Sequence, residues 1–184
     1  MPGHAHDREE LLALIVDQID LMRRFAQDAR YRPRARWLLK EAVFWIWELP
    51  QLKEPRLGKY SLHLPWLPEA YERLAGWSPG AKRPPTDGLR FEHPIPRGIL
   101  AEALLTETPT DLAGFLDRHF RAAVITVDND RQLNKAGVRA RMPPGWNLGD
   151  DPWDRYRAAH LDPDGFVVPV ERLLGPDADG SARA

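Results

Sequence analysis

The sequence contains no cysteine among its 184 residues. A disulfide framework and a thiolate zinc site are therefore excluded, so a metal ion would have to be held by His, Asp, Glu or Asn side chains. Long apolar runs are also missing, because residues 42–49 form a stretch far shorter than the roughly 20 residues of a membrane-spanning helix. Residues 1–7 lack the basic-then-apolar layout of a signal peptide. We therefore expect a cytosolic protein with no membrane partner.

Three common enzyme signatures are missing as well: a glycine-rich phosphate loop, a G-x-S-x-G elbow and an H-E-x-x-H pair. Their absence argues against the enzyme classes that depend on them. Neither sign of charge dominates, since the formal net charge is -1. A composition of 43% hydrophobic and 29% charged residues is that of a folded globular protein and excludes a disordered or fibrous chain.

The N-terminal part of the sequence is patterned for helices. Asp7 and Glu10 make a capping-box-like start, and apolar residues then recur at helical spacing, which predicts one amphipathic helix over residues 8–31. A second helix should follow and stop before Pro50. Its end, residues 42–47, is apolar on every face. We expect this Trp-rich segment to be buried on more than one side or to form a homo-oligomer surface.

The pattern changes after residues 78–88, which are rich in proline and glycine and form the best candidate domain boundary. Short β-type segments then alternate with helical ones, which predicts an α+β fold. The predicted parts are a helical region (1–77), an α+β region (89–174) and a disordered tail (175–184). Within the second region we predict strands at 89–93, 123–127 and 166–170, and helices at 97–107, 108–120 with Thr108 as N-cap, 128–136 and 153–159.

Two short runs that contain polar side chains lie at the end of the first predicted strand and after the second. The first run is Phe91-Glu92-His93-Pro94-Ile95-Pro96. The second, after Val124-Ile125-Thr126, is Arg131-Gln132-Leu133-Asn134-Lys135-Ala136-Gly137. Together they resemble the HNH (ββα-metal) endonucleases over about residues 89–142. The resemblance implies a small ββα-type unit with inserted helices, and divalent-metal-dependent hydrolysis of nucleic-acid phosphodiesters with DNA as the favoured substrate.

The resemblance also implies a role for each residue. His93 would be the general base, because a histidine with a pKa near neutrality activates water when a neighbour orients its ring. Glu92 and Asn134 would be the metal ligands, since carboxylate and amide oxygens suit Mg²⁺ or Mn²⁺. Four cations near Asn134 would engage phosphates. They are Arg131, Lys135, Arg139 and Arg141.

The same residues also have purely structural interpretations. Asn134 shortly before Gly137 is a common helix-end signal, and a Glu-His-Pro run at a strand end is often only a turn. The second hypothesis is therefore a non-catalytic nucleic-acid- or protein-binding module with a degenerate HNH-like scaffold, which would dock through basic helices such as residues 23–40. Hydrolysis requires the side chains of Glu92, His93 and Asn134 to converge on one point that solvent reaches, whereas a binding module requires no convergence.

Overall fold

The structure is a computed structural model that describes residues 7–52, 59–75, 77 and 86–169. It contains helices and a small antiparallel sheet and is mostly helical, which confirms the α+β class at a coarse level. Within these residues no helix combines the length and apolar character needed to cross a bilayer. The predicted tail, 175–184, lies outside the described residues, as does most of the predicted boundary.

The chain divides into two compact units. The first unit comprises Met1–Gln51 and Ile95–Arg121, and the second comprises Leu52–Pro94 and Ala122–Ala184. This division cuts across the predicted one, because residues 59–75 belong with the strands and the helices between the strands belong with the N-terminal helices. Backbone bonding gives one reason, since the Leu67 N–H donates to the Val124 carbonyl at 3.0 Å.

The helices and strands have the following bounds in chain order. They are α1 (Arg8–Ala26), α2 (Arg32–Val43) with a π-helical extension (Phe44–Glu48), α3 (Leu49–Gln51), α4 (Pro68–Glu72), β1 (Leu89–Glu92), α5 (Arg97–Thr106), α6 (Leu112–His119), β2 (Ala123–Thr126), α7 (Val127–Lys135), α8 (Asp154–Ala158) and a 3-10 turn (Pro163–Gly165).

Helix α1 begins as predicted but ends at Ala26 rather than at residue 31. The Asp7 side chain accepts the Glu9 N–H at 3.1 Å and so satisfies one of the free donors of the first turn. The early end has a local cause, because the Asp28 carboxylate accepts the Arg30 N–H at 2.9 Å and holds a turn there. The core of the first unit is apolar. It includes Ile15, Ile19 and Met22 of α1 and Ala35, Leu39 and Val43 of α2.

The predicted stop before Pro50 is wrong, because the helical path continues through the π-helical extension to Gln51. Proline removes an N–H donor and crowds the preceding turn, and a widened turn relieves that crowding. The Gln51 side chain donates to the Trp47 carbonyl at 2.7 Å. Burial of the segment is uneven, since Trp47 is 1% exposed whereas Trp45 is 62% exposed.

In the second unit β1 and β2 are antiparallel, with Leu89 opposite Thr126 and Glu92 opposite Ala123. Both predicted strands are confirmed within one residue at each end. Of the predicted strand at 166–170, the described residues 166–169 form one bridge, in which Val167 pairs with Trp66. A 3-10 turn at residues 163–165 precedes this bridge.

The helices between the strands also depart from the prediction at one cap. Helix α5 ends at Thr106, close to the predicted end. Helix α6 begins at Leu112, and its N-cap is Asp111 rather than the predicted Thr108. The Asp111 carboxylate accepts the Gly114 N–H at 2.8 Å, so the carboxylate rather than the threonine hydroxyl satisfies the first turn.

Candidate functional site

The C-terminal end of β1 is held by one buried arginine. The Arg155 side chain of α8 is completely buried, and its guanidinium forms an ion pair with the half-buried Glu92 carboxylate. The same nitrogen, Nη2, donates to the His93 carbonyl oxygen. The other nitrogen, Nη1, donates to the carbonyl oxygens of Val138 and Arg139 at 3.1 and 2.7 Å. One guanidinium therefore connects α8, the end of β1 and the segment after α7.

This arrangement explains why a charged group lies inside the unit. Removing a guanidinium from water is costly unless a carboxylate and several acceptors replace the water, and Arg155 has both. Its neighbour Tyr156 is equally buried, and burial raises the pKa of the phenol well above its ordinary value. The site is thus a polar cluster with little water, in which the Glu92 charge is already balanced.

His93 follows β1 and is 5% exposed. Its ring makes an edge-to-face contact with the Phe91 ring, with the ring centroids 5.2 Å apart. Alternate residues of a strand share a face, which accounts for this pairing of positions 91 and 93. The backbone carbonyl of His93 accepts a hydrogen bond from Arg155.

Asn134 lies on the exposed side of α7, whose buried side is formed by Asn129 and Leu133. The Asn134 carbonyl accepts the Gly137 N–H at 3.0 Å. Gly137 has a φ of 73°, the left-handed conformation in which glycine ends a helix. The helix-end interpretation of this segment is therefore confirmed.

Asn129 has a different role at the other end of α7. Its side-chain oxygen accepts the Thr126 backbone N–H at 2.9 Å, and its own N–H donates to the Thr126 hydroxyl oxygen at 3.1 Å. This reciprocal pair is a buried capping box that begins the helix directly after β2.

The structure thus brings Glu92 and the His93 backbone to Arg155 and leaves Asn134 on an exposed helix face. Across the described ranges there is no cluster of three or more His, Asp or Glu side chains that could hold a metal ion. The Arg155 guanidinium pairs with Oε1 of Glu92, so a divalent cation bound by this carboxylate would lie close to another positive charge.

The four predicted phosphate-binding cations lie on or just after the C-terminal half of α7. Two of them pair with acids of α7: Arg131 with Asp128 at 2.7 Å and Arg139 with Asp130 at 3.1 Å. Lys135 is exposed, and Arg141 donates from Nε to the Gly137 carbonyl. All four residues are exposed to solvent.

Sequence reasoning did not single out Arg155, although it is the central residue of this cluster. The sequence offers no local signal that distinguishes Arg155 from Arg157, because α8 is only five residues long and both arginines precede a buried residue by four positions. The structure buries Arg155 and leaves Arg157 exposed. The meeting of Arg155 with Glu92 depends on how α8 packs against the strands.

Comparison with known proteins adds no family assignment to this geometry. No family model matches the chain, and neither the curated proteins nor the solved structures gave a match.

Proposed function

We propose that the protein is a non-catalytic nucleic-acid-binding module in which an HNH-like ββα scaffold uses Glu92 for structure. The observation that carries this proposal is the ion pair between Glu92 and the buried Arg155. A carboxylate whose charge is balanced by a buried guanidinium is a weak ligand for a cation.

The order of elements supports the HNH-like scaffold. Strands β1 and β2 are antiparallel, and α7 begins at the residue after β2 and packs against both strands. Helices α5 and α6 are inserted between the strands and belong to the other compact unit. The order of β1, β2 and α7 is the order on which the resemblance of residues 89–142 to HNH nucleases rests.

The exposed cations of α7 support the choice of ligand. Arg131 and Lys135 are four residues apart and therefore share one side of the helix. Arg139 and Arg141 follow within six residues of Lys135. A cluster of this kind engages phosphates without sequence preference and releases counterions, which makes the affinity depend on salt.

The test is binding of the full chain to fluorescent duplex DNA, single-stranded DNA and RNA over a series of salt concentrations. The variant is Arg131→Gln with Lys135→Gln. The matched control is Arg118→Gln with Arg121→Gln, which removes the same charge from two exposed arginines of the first unit that lie outside both basic stretches. We expect the α7 variant to lower the salt slope by about two and to weaken binding roughly 10- to 60-fold near 0.1 M salt.

The control pair should leave both the slope and the affinity within about twofold of the wild type. Equal losses in the two variants would mean that binding follows total charge rather than α7, and would contradict the proposal. So would a wild-type protein that binds none of the three nucleic acids.

The second candidate function is metal-dependent phosphodiester hydrolysis, with DNA as the favoured substrate. It is favoured by the acidic-histidine pair at the end of β1 within a ββα order. Mg²⁺ or Mn²⁺ would be held by Glu92 and Asn134, and His93 would activate water. This function requires Arg155 to release Glu92 when the metal binds.

Nicking of supercoiled plasmid with Mg²⁺ or Mn²⁺, against EDTA, tests this candidate. His93→Ala is the variant, and His63→Ala, a half-buried histidine of the same unit, is the control. Nicking that needs metal and is lost only in His93→Ala would replace the binding-module proposal with the nuclease. Identical nicking by wild type and His93→Ala would contradict the nuclease candidate and leave the DNA-binding proposal.

A further inference from the structure

One side of α1 carries apolar side chains that the described part of the chain leaves uncovered. Leu14, Leu21 and Phe25 are 47%, 39% and 49% exposed. With 3.6 residues per turn, positions 14, 21 and 25 lie along one side of the helix, with the half-buried Gln18 between the two leucines. An isolated exposed leucine needs no explanation, but a stripe over three turns indicates a surface that something covers.

This stripe lies on the flank of α1 away from α5. Arg23 donates to the carbonyl oxygen of Leu104 in α5 at 2.7 Å. On the helix, the buried positions Ile15 and Ile19 separate the Arg23 side from the Leu21 side. Helix α5 therefore covers one flank of α1 and leaves the flank with the apolar stripe open.

The same argument applies to α2. Arg32 pairs with Glu102 of α5 at 2.5 Å, which turns the Arg32 flank toward α5. Leu38 and the exposed Trp45 lie seven residues apart on the opposite flank. Because both helices turn one flank to α5, their other flanks lie together. We call this surface the outer face of the hairpin, and its residues are Leu14, Leu21, Phe25, Leu38 and Trp45.

Two opposite charges border the stripe on α1. Asp17 and Arg24 are seven residues apart, which is two turns, and lie along the same edge. Both are exposed, and neither has an ion-pair partner among the residues that the structure describes. The edge is therefore acidic toward the start of α1 and basic toward its end.

We propose that a second copy of this chain covers the outer face, with the two α1 helices antiparallel about a two-fold axis near Leu21. In this arrangement Leu14 contacts Phe25 of the partner subunit, and Asp17 pairs with Arg24 of the partner subunit. A two-fold axis forms each pair twice, as an isologous interface requires. In a parallel arrangement the edges that carry Asp17 and Arg24 would lie on opposite sides of the interface and could not pair, so the charges favour the antiparallel one.

The size of the surface suits this occupant. Helix α1 has 19 residues and is about 28 Å long, enough for several layers of side chains against a second helix. The exposed apolar residues Leu14, Leu21 and Phe25 lie seven and four positions apart, spacings that align side chains along one seam of an antiparallel helix pair. The Trp-rich segment predicted to form an oligomer surface contributes Trp45 to the same face.

The test is the molecular weight of the full chain by sedimentation equilibrium over a range of concentrations. The variant is Asp17→Lys, and Glu107→Lys is the matched control, because Glu107 is an exposed acid of the same unit that lies outside α1. We expect a wild-type dimer whose dissociation constant rises about tenfold or more in Asp17→Lys, since two ion pairs become like-charge contacts. Glu107→Lys should leave the dissociation constant within about twofold.

The double variant Asp17→Lys with Arg24→Asp exchanges the two charges and should restore the wild-type dissociation constant. Leu21→Glu, at the centre of the stripe, should give a monomer with an unchanged helical circular dichroism spectrum. A wild-type chain that stays monomeric at all concentrations would overturn the proposal and point to another occupant of the outer face. A dimer unaffected by Asp17→Lys, or not restored by the exchange, would also overturn it.

Discussion

The two units use arginine in opposite ways. In the first unit Arg32 pairs with Glu102 at the surface, where the two side chains are 43% and 36% exposed. In the second unit Arg155 is 0% exposed and bonds to Glu92 and three carbonyl oxygens. The Arg32–Glu102 pair lies outside a core that includes Ile15, Leu39 and Leu104. In the second unit an ion pair is part of the core, so the same residue type has very different structural importance.

The strongest way to break this comparison is to remove the buried guanidinium. Arg155→Ala leaves the Glu92 carboxylate half-buried without its partner and deprives the Val138 and His93 carbonyls of a donor. We expect the free energy of unfolding to fall by about 3–5 kcal/mol. Urea denaturation measures the loss, and hydrogen exchange of the β1 and β2 amides assigns it to the second unit.

The control is Arg157→Ala, two residues along the same helix. Arg157 pairs with Asp151 at 2.6 Å, but both side chains are 42% exposed. The expected loss is at most about 1 kcal/mol. If the two variants lost equal stability, burial would not distinguish the two arginines and the comparison would fail.

A second prediction compares the caps of the two units. Asn129 caps α7 from a buried position, whereas Asp7 caps α1 from an exposed one. Asn129→Ala should cost about 2 kcal/mol, because the buried Thr126 N–H and hydroxyl lose their acceptor and water cannot replace it. Asp7→Ala should cost about 0.5–1 kcal/mol. Urea midpoints of the two variants check the order, and the reverse order would contradict it.

The sequence predicted local structure well and the buried contacts poorly. Strands at 89–93 and 123–127 were predictable because β-branched and apolar residues lie between turn residues, and Gly137 marked the end of α7. The pairing of Glu92 with Arg155 spans 63 positions along the chain. No short-range pattern encodes such a contact, because it depends on how α8 packs against the strands.

The ends of two helices, at Ala26 and near Pro50, differ from the prediction for local reasons. Periodicity continued past Ala26, but one side-chain hydrogen bond from the Arg30 N–H to Asp28 ended the helix there. Proline rules predicted an end before Pro50, but a widened turn carried the helix through it. In both places a single local interaction outweighed the average preference of the residues.

A third prediction concerns the ion pair at the surface of the first unit. Glu102 accepts from Arg32 at 2.5 Å and lies 4.0 Å from Arg36. Because the three side chains are exposed, Glu102→Gln should lower the free energy of unfolding by no more than about 1 kcal/mol, and 0.5 M salt should remove most of that difference. Denaturation with and without salt measures both effects. A loss that salt leaves unchanged would mean that this pair behaves like the buried one.

The smallest expected effect is a pH dependence in the first unit. Burial, with a further contribution from Arg118, lowers the pKa of His119 below its ordinary value of 6.5, and the ring lies 4.8 Å from the Phe115 ring. The unfolded chain then binds the proton more tightly, so the stabilisation is present above pH 6.5 and is lost as the pH falls toward the lowered pKa. His119→Gln should therefore lose less stability than the wild type between pH 7 and pH 5. The comparison is made on urea midpoints, where the other histidines contribute equally to both proteins. Parallel losses would show that solvent screens the half-buried ring, and that titration in the first unit is as weak in its effect as its surface ion pairs.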